Sequence, residues 1–486
     1  MGNTEMKFDP PNTPEQSEIL DLALTSRRNL LVNALAGTAK TTTIERVGIA
    51  CDRTPILYLV FNKRNQDEAA RRMPSHVECR TFNALGHRAW ANQTGRRLTI
   101  DTKKSYTILK GLIDGLGRAE KSEAYDSFSE ILAAARLAKI TGYIPTGRFE
   151  GVSPLVRDDP FDEEPTWLET HLLDALLTKS IQVAYSGTID FDDQIYMPTL
   201  FGGSWPQFPL VMVDEAQDLS PINHAMLKQL ATRRLIAVGD PYQSIYAFRG
   251  AVQKGMDTLR TDYNMEEKTL SVSFRCPQAI VQRARQRVPN FTFPEWAIEG
   301  EVNELSSWSY DHISDGAAII CRNNAPLFSL ALRLIRFGRG VKLVGSDIGP
   351  NLLRTLKRLG PETLTQTQVF DAIDRAEGEA LAKARSPAST ADRFECLRVF
   401  AEQGPTLSAA IGYAQHLFAA GGTIQLLSGH KAKGLEWDTT YHLDPWRIPS
   451  QYAATEEEVE QELNVRYVIE TRAKRVLNIV NLGDLK

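Results

Sequence analysis

Short apolar runs alternate along this chain with segments of helical character. Leu30-Leu31-Val32, Ile56-Leu57-Tyr58-Leu59-Val60-Phe61, Leu210-Val211-Met212-Val213 and Leu235-Ile236-Ala237-Val238 are each bounded by small or polar residues. Runs that are apolar throughout, rather than alternating, predict strands covered on both faces. Further strands are predicted at 77–80, 317–321, 342–344 and 423–427, and the segments between strands read largely as helices. The pattern therefore predicts an α/β protein built on parallel sheets. Two stretches break the alternation. Residues 91–187 turn helical, for example over 127–140, and 346–420 is helical and polar; both read as insertions.

Turn chemistry sharpens two helix starts. Thr13-Pro14-Glu15-Gln16 places a cap at Thr13 and proline at the first helical position, with Gln16 facing back towards the loop. Thr455-Glu456-Glu457-Glu458 reads as a capping box. The acidic runs 158–164 and 456–462 read as solvated faces.

The first apolar run feeds Ala34-Leu35-Ala36-Gly37-Thr38-Ala39-Lys40-Thr41-Thr42 and then a helix. Strand, small-residue loop, Lys-Thr and helix is the order a phosphate cradle needs. Small residues let backbone N–H groups approach the phosphates, and the helix start adds positive charge. Lys40 can reach the β- and γ-phosphates, and the Thr41 hydroxyl can ligate Mg²⁺. Alanine stands at 34 and 39, where such loops usually carry glycine. For Ala39 an ordinary negative φ is expected, with the helix starting early and Thr38 as its cap.

Other strand ends add chemistry. Asp214-Glu215-Ala216-Gln217-Asp218 brings adjacent carboxylates to a sheet edge, one suited to Mg²⁺ and the other to activating a water. The loop after 235–238 carries a polar sensor, Gln243, five residues before an aromatic, Phe248. Phe61 and Asn62, then Thr81 and Phe82, end the second and third strands, where open α/β sheets bind ligands. An aromatic beside a polar group suits a stacked base with its phosphate held.

Composition narrows the partners. The chain has 486 residues, 42% of them hydrophobic, and a formal net charge of −4. Nucleic acid must then be met by a local channel, not by a generally basic coat. The five cysteines are scattered without a C-x-x-C pair, which fits a reducing compartment. No apolar run approaches the roughly 20 residues of a membrane span. A soluble protein with no membrane partner is expected, cytoplasmic in a bacterial or phage-infected cell, or nuclear in a eukaryote.

These segments, in this order, resemble the motifs of the UvrD/Rep-like superfamily 1 helicases, and their wording is closest to the F-box-helicase-like and phage branch. Ser428-Gly429-His430-Lys431-Ala432-Lys433-Gly434-Leu435-Glu436-Trp437 is similar to the family's T-x-H-x-x-K-G-L-E-F, and 464–473 to the motif carrying a second-lobe arginine. The resemblance implies two RecA-like lobes. The first comprises 1–90 and 188–275, with 91–187 inserted; the second comprises 276–345 and 421–486, with 346–420 as a reduced accessory insertion.

By the same resemblance, Gln16 and Phe274 hold adenine, and Ala36 to Thr42 (with Gly37, Thr38, Ala39, Lys40 and Thr41) wrap the phosphates. Mg²⁺ falls to Thr41 and Asp214, the base to Glu215, the sensor to Gln243, the ribose to Glu436, and the charge-stabilising fingers to Arg275 and Arg472. Phe61, Asn62, Thr81, Phe82, Phe248 and His430 face single-stranded DNA, and movement is 3′ to 5′ by a monomer that engages single strands and their junctions with duplex. Departures from the family pattern are Asn83, Trp437, Arg466 and Glu470, the last two read as an exposed helix face. A translocase that strips proteins without unwinding shares these motifs. A catalytically dead scaffold and an RNA helicase fit them less well.

Overall fold

The computed structural model describes residues 11–52, 54–145, 147–161, 164–230, 233–245, 254–345, 348–384 and 387–486. The first apolar runs become strands of one parallel sheet: β1 (Leu30–Ala34), β2 (Ile56–Val60) and β3 (Val77–Thr81). After the short β4 (Thr99–Ile100) and β5 (Thr188–Ile189) come β6 (Leu210–Val213), β7 (Leu235–Gly239) and β8 (Glu266–Leu270). The sheet order is β3-β2-β6-β7-β1-β8. Alternate residues feed two cores. Leu30, Val32, Tyr58, Met212 and Val238 enter one, while Leu31, Leu57, Val211, Val213 and Ala237 enter the other. Both faces are covered, which is why the runs carry no polar alternation.

A second parallel sheet holds β9 (Glu301–Leu305), β10 (Ala318–Cys321), β11 (Val341–Leu343), β12 (Ile424–Ser428), β13 (Trp437–Leu443) and β14 (Ala473–Val480). Its order is β11-β12-β10-β13-β14-β9. The chain is thus two RecA-like lobes. Helices Lys104–Asp114, Arg118–Asp126, Phe128–Thr141 and Trp167–Tyr185 form the first insertion around their own core, and β4 pairs with β5 where the insertion leaves and rejoins the lobe. The stretch 346–420 sits differently. Its Leu356, Ile373, Leu397, Phe400 and Ala410 share one core with Ile319, Val341 and Leu426, so it is a layer on the second sheet. Among the described residues no helix is long and apolar enough to cross a membrane.

Local signals hold at both predicted caps. Thr13 and Gln16 form a reciprocal capping box on α1 (Pro14–Thr25), and Thr455 does the same with Glu458 on the helix Glu456–Glu470. The expected solvated face of that last helix holds at Glu456, Glu457, Glu458 and Glu460 and fails further along. Glu462 is buried and clamped by Arg322, at 2.7–2.9 Å, and Glu470 is buried within ion-pair distance of Arg283 (3.4 Å) and His442 (3.5 Å). The partners lie on other elements of the second lobe, and a buried carboxylate persists only where such partners meet it.

Candidate nucleotide cleft and strand path

Strands β6, β7 and β1 are neighbours, so the loops after them leave one carboxyl edge side by side. The β1 loop turns sharply. Thr38 N donates to the Leu35 carbonyl at 3.3 Å, and the Thr38 hydroxyl turns back to the same oxygen at 2.8 Å. Gly37 has φ +73, and a Cβ there would sit 2.5 Å from Arg275 Cβ and 2.8 Å from Ser273 Oγ. Its carbonyl accepts from Phe274 N at 2.8 Å. The chain then passes through Ala39 at φ 58, ψ 38 and enters α2 (Lys40–Ala50) with no side-chain cap.

The expected negative φ at Ala39 and the capping role of Thr38 are therefore both wrong. With Gly37 pressed against 273–275 and Thr38 spent on Leu35, a left-handed residue is what redirects the chain into the helix. The start of α2 keeps its first amides free of side-chain acceptors, as an anion site requires.

Lys40 Nζ meets Glu215 Oε2 at 2.5 Å, and the Thr41 hydroxyl lies 3.5 Å from Asp214 Oδ2. Asp214 also accepts from the Tyr58 hydroxyl at 3.1 Å and from Glu215 N at 2.8 Å. Glu215 is itself left-handed, at φ 51, which points its carboxylate back over the edge. Burial pushes the Asp214 carboxyl up, and the neighbouring Glu215 adds to that. Burial acts the same way on Glu215, but the Lys40 and Lys433 cations outweigh it and hold that carboxyl low. Burial likewise pushes the Asp240 carboxyl up to about 6.

A buried polar chain links these groups. Gln217 Nε2 donates to Glu215 at 2.8 Å, its Oε1 accepts from Asp240 N at 3.0 Å, and Gln243 Nε2 donates to Asp240 at 2.6 Å.

The second lobe closes on this edge. The Tyr467 hydroxyl accepts from Ala36 N at 2.9 Å, and Tyr467, Ala473 and Leu477 share a core with Leu35 and Ala36. Lys433 Nζ reaches both Asp218 oxygens and the Gln243 carbonyl, each at 2.6 Å. Arg275 pairs with Glu436 at 2.7 Å. Arg472 is only 1% exposed, and its three hydrogen bonds go to neutral oxygens of Val468, Leu435 and Thr471. Burial pulls its guanidinium down to about 10, and nearby Arg275 pulls the same way. A buried cation with no carboxylate hydrogen-bonded to it among the described residues is suited to an anion that enters the cleft.

Gln16 is buried and donates to the Thr43 hydroxyl of α2 at 3.0 Å, while Phe274 stacks against Trp296, with centroids 6.0 Å apart.

On the first lobe's edge the expected strand contacts divide. Phe61 is half-buried against Phe82, with centroids 5.6 Å apart. Phe82 is 3% exposed, so it backs Phe61 and offers no open face. Asn62 and Thr81 cap α3 (Lys63–Arg72) and α4 (Phe82–Thr94), accepting from Asn65 N at 2.8 Å and Ala84 N at 3.1 Å. His430 lies just past the end of β12. Phe248 falls outside the described residues. An aromatic that sequence reasoning does not single out, Phe191, is 56% exposed, and its carbonyl accepts from the Asn83 amide at 2.8 Å. An aromatic between two aspartates was the available signal. Lys433 was missed as well, since its partners become visible only when the lobes meet.

Two family models match the chain: the UvrD/REP helicase N-terminal domain at 171–264 and the UvrD-like helicase C-terminal domain at 406–482. The chain thus carries two domains of the UvrD/Rep-like superfamily 1 helicase family. It is 23% identical to F-box DNA helicase protein 1 of Schizosaccharomyces pombe, over 97% of this chain and 58% of that protein. It is 24% identical to F-box DNA helicase 1 of Gallus gallus, over 96% and 48%. A probable DNA helicase II homolog of Mycoplasma genitalium is 26% identical over 56% of this chain and 42% of its own length. The chain thus spans about half the length of the F-box relatives it matches. The N-terminal match contains the Asp214-Glu215 edge, and the C-terminal match contains His430, Lys433 and Arg472.

Proposed function

We propose that this helicase couples ATP hydrolysis in the cleft to 3′-to-5′ movement along single-stranded DNA, unwinding the duplex it meets. The observation that carries the reading is the meeting of the Lys40–Glu215 edge with Tyr467, Lys433 and Arg472 of the other lobe. Phosphoryl transfer needs positioning and positive charge more than covalent chemistry. Lys40 and the free amides of α2 hold the phosphates, Arg275 beside the phosphate loop and Arg472 from the other lobe add charge, and Glu215 takes the proton of the attacking water.

The donor set fits Mg²⁺. Among the described residues no group of three or more His, Cys, Asp or Glu could hold a metal, and nucleotide-bound Mg²⁺ takes only one or two protein ligands beside the phosphates. The Thr41 hydroxyl and the Asp214 carboxylate would be those two, and the ion would neutralise phosphate charge when bound. Because cations come from both lobes, hydrolysis depends on closure, and repeated closure against alternating grips on a strand is translocation. Phe61 and Phe191 mark the first lobe's side of that strand path, and His430 marks the second lobe's.

The test is ATP turnover with and without single-stranded DNA, beside strand displacement on duplexes with 3′ or 5′ tails. Stimulation by DNA with unwinding only from 3′ tails is expected. Stimulation without unwinding, together with release of streptavidin from biotinylated DNA, would identify a protein-stripping translocase instead.

A further inference from the structure

The loop that follows β13 is built to hold one ring still. Ser428, Cys321 and Leu443 are paired across β12, β10 and β13. His430, Arg322 and the loop 444–448 therefore leave the same carboxyl edge next to one another, within roughly two strand spacings, or about 10 Å. Asp444 is left-handed at φ 51; its amide donates to the Val480 carbonyl at 2.8 Å and its carboxylate accepts from Leu482 N at 2.8 Å. Arg466 grips the loop from the helix below, donating to the carbonyls of Pro445 (3.3 Å) and Ile448 (2.5 Å). Arg447 is fixed by both oxygens of Glu395, at 2.8 and 3.1 Å.

From this pinned loop projects Trp446, 66% exposed, with the Arg447 guanidinium over its ring at 4.7 Å from the centroid. The cation occupies one side of the indole and most of the residue still faces water. A flat, immobile aromatic next to a strand-path residue is the arrangement that stacks bases without reading sequence.

From this geometry we infer that Trp446 is a stacking platform for a base of single-stranded DNA on the second lobe, continuing the path that passes His430. The inference rests on the proposed DNA-translocating function and adds a subsite to it. The loop's hydrogen bonds fix the backbone that carries the ring before DNA arrives, so less of the stacking energy is lost to ordering it.

The test is the affinity of the full chain for a fluorescent oligothymidine without nucleotide, for wild type, Trp446→Ala, Trp446→Phe and Trp446→Leu. Stacking of one base predicts a loss of roughly five- to 150-fold for Trp446→Ala. Phenylalanine should recover most of the affinity and leucine little, with melting temperatures unchanged. Wild-type affinity in Trp446→Ala would overturn the proposal, and so would leucine equal to phenylalanine, since an apolar contact would then suffice. A loss confined to duplex DNA would assign the ring to the duplex arm and overturn it as well. If wild type itself ignores oligothymidine, the functional reading falls first, and that outcome is distinct from each of the others.

Discussion

Two clusters of buried charge lie in the first lobe and its borders, and they behave differently. In the insertion, Lys104 pairs with Asp193 at 2.6 Å, and Lys139 pairs with Asp190 at 2.5 Å and Asp193 at 2.8 Å. Two lysines meet two aspartates, and Asp190 and Asp193 also accept from each other's amides at 2.9 Å. At the cleft, Lys40 and Lys433 face Asp214, Glu215, Asp218 and Asp240, so acids are in excess, and the groups come from both lobes. Burial and perturbed titration are common to the two clusters and so cannot by themselves mark a site. What separates them is charge imbalance, assembly from two bodies, and left-handed non-glycine residues at the strand ends, Ala39 and Glu215. Strain of that kind persists where the surrounding structure imposes it.

The sharpest way to break the comparison is to change one group in each cluster. Glu215→Gln keeps shape and removes the base, so ATP turnover should fall about 10²–10⁴-fold while ATP binding and melting temperature stay near wild type. Lys40→Ala should lose turnover together with nucleotide affinity. Near-normal turnover in Glu215→Gln, measured by phosphate release, would remove the cleft cluster from the chemistry.

Lys139→Met should do the opposite. It leaves two buried aspartates with one cation, and breaking a buried pair in this way costs about 3–5 kcal/mol. The melting temperature should fall markedly, while turnover per folded molecule holds. Burial raises the Asp190 carboxyl, but Lys139 outweighs it and holds that group at about 2, against 3.8 unperturbed. A carboxylate with a depressed folded pKa contributes stability above its unfolded value and loses it as pH falls through the folded one. The gap between wild type and Lys139→Met should therefore narrow as pH drops from about 4 towards 2.

A subtler effect is expected where the lobes touch. If Lys433 acts on the base through Asp218, then Lys433→Ala and Asp218→Asn should each lower DNA-stimulated kcat with little change in KM, and the double variant should be no worse than the poorer single one. Coupling between contacting groups of this kind is about 0.5–3 kcal/mol. Additive losses, or a rise in KM alone, would make Lys433 a direct phosphate ligand instead.

Contiguous chemistry was readable from the chain. Lys40-Thr41, Asp214-Glu215 and the Thr455 capping box each depend on neighbours in sequence, and each has the predicted local setting in the structure. What depended on distant partners was not readable. Glu462 looks solvated among Glu456, Glu457 and Glu458 until Arg322, 140 residues earlier, is placed on it. Lys433 is one lysine in a motif until Asp218 and Gln243 arrive from the other lobe. Asn62 and Thr81 carry side-chain oxygens that suit a cap or a ligand alike, and only the amides of Asn65 and Ala84 show that they cap helices here. Ala39 failed for a related reason: helix propensity is local, while its φ is imposed by the packing of Gly37 against 273–275.

That alanine also yields the smallest and most discriminating test. A left-handed non-glycine residue costs about 1–2 kcal/mol, because its Cβ crowds the following carbonyl. Glycine removes that cost but gives back roughly 0.5–1 kcal/mol through the freedom of the unfolded chain. Ala39→Gly should therefore leave stability unchanged or raise it by up to about 1.5 kcal/mol, with ATP affinity altered less than tenfold, or about 1.4 kcal/mol. A valine, stiff and branched at Cβ, is a true outlier at positive φ. Ala39→Val should lower both melting temperature and nucleotide affinity, measured by thermal shift with and without ATP. If glycine destabilises as much as valine does, the left-handed turn is not what distinguishes the cleft from the balanced cluster. If glycine is tolerated and valine is not, the strain at Ala39 is a property of the loop that the insertion's charges do not need.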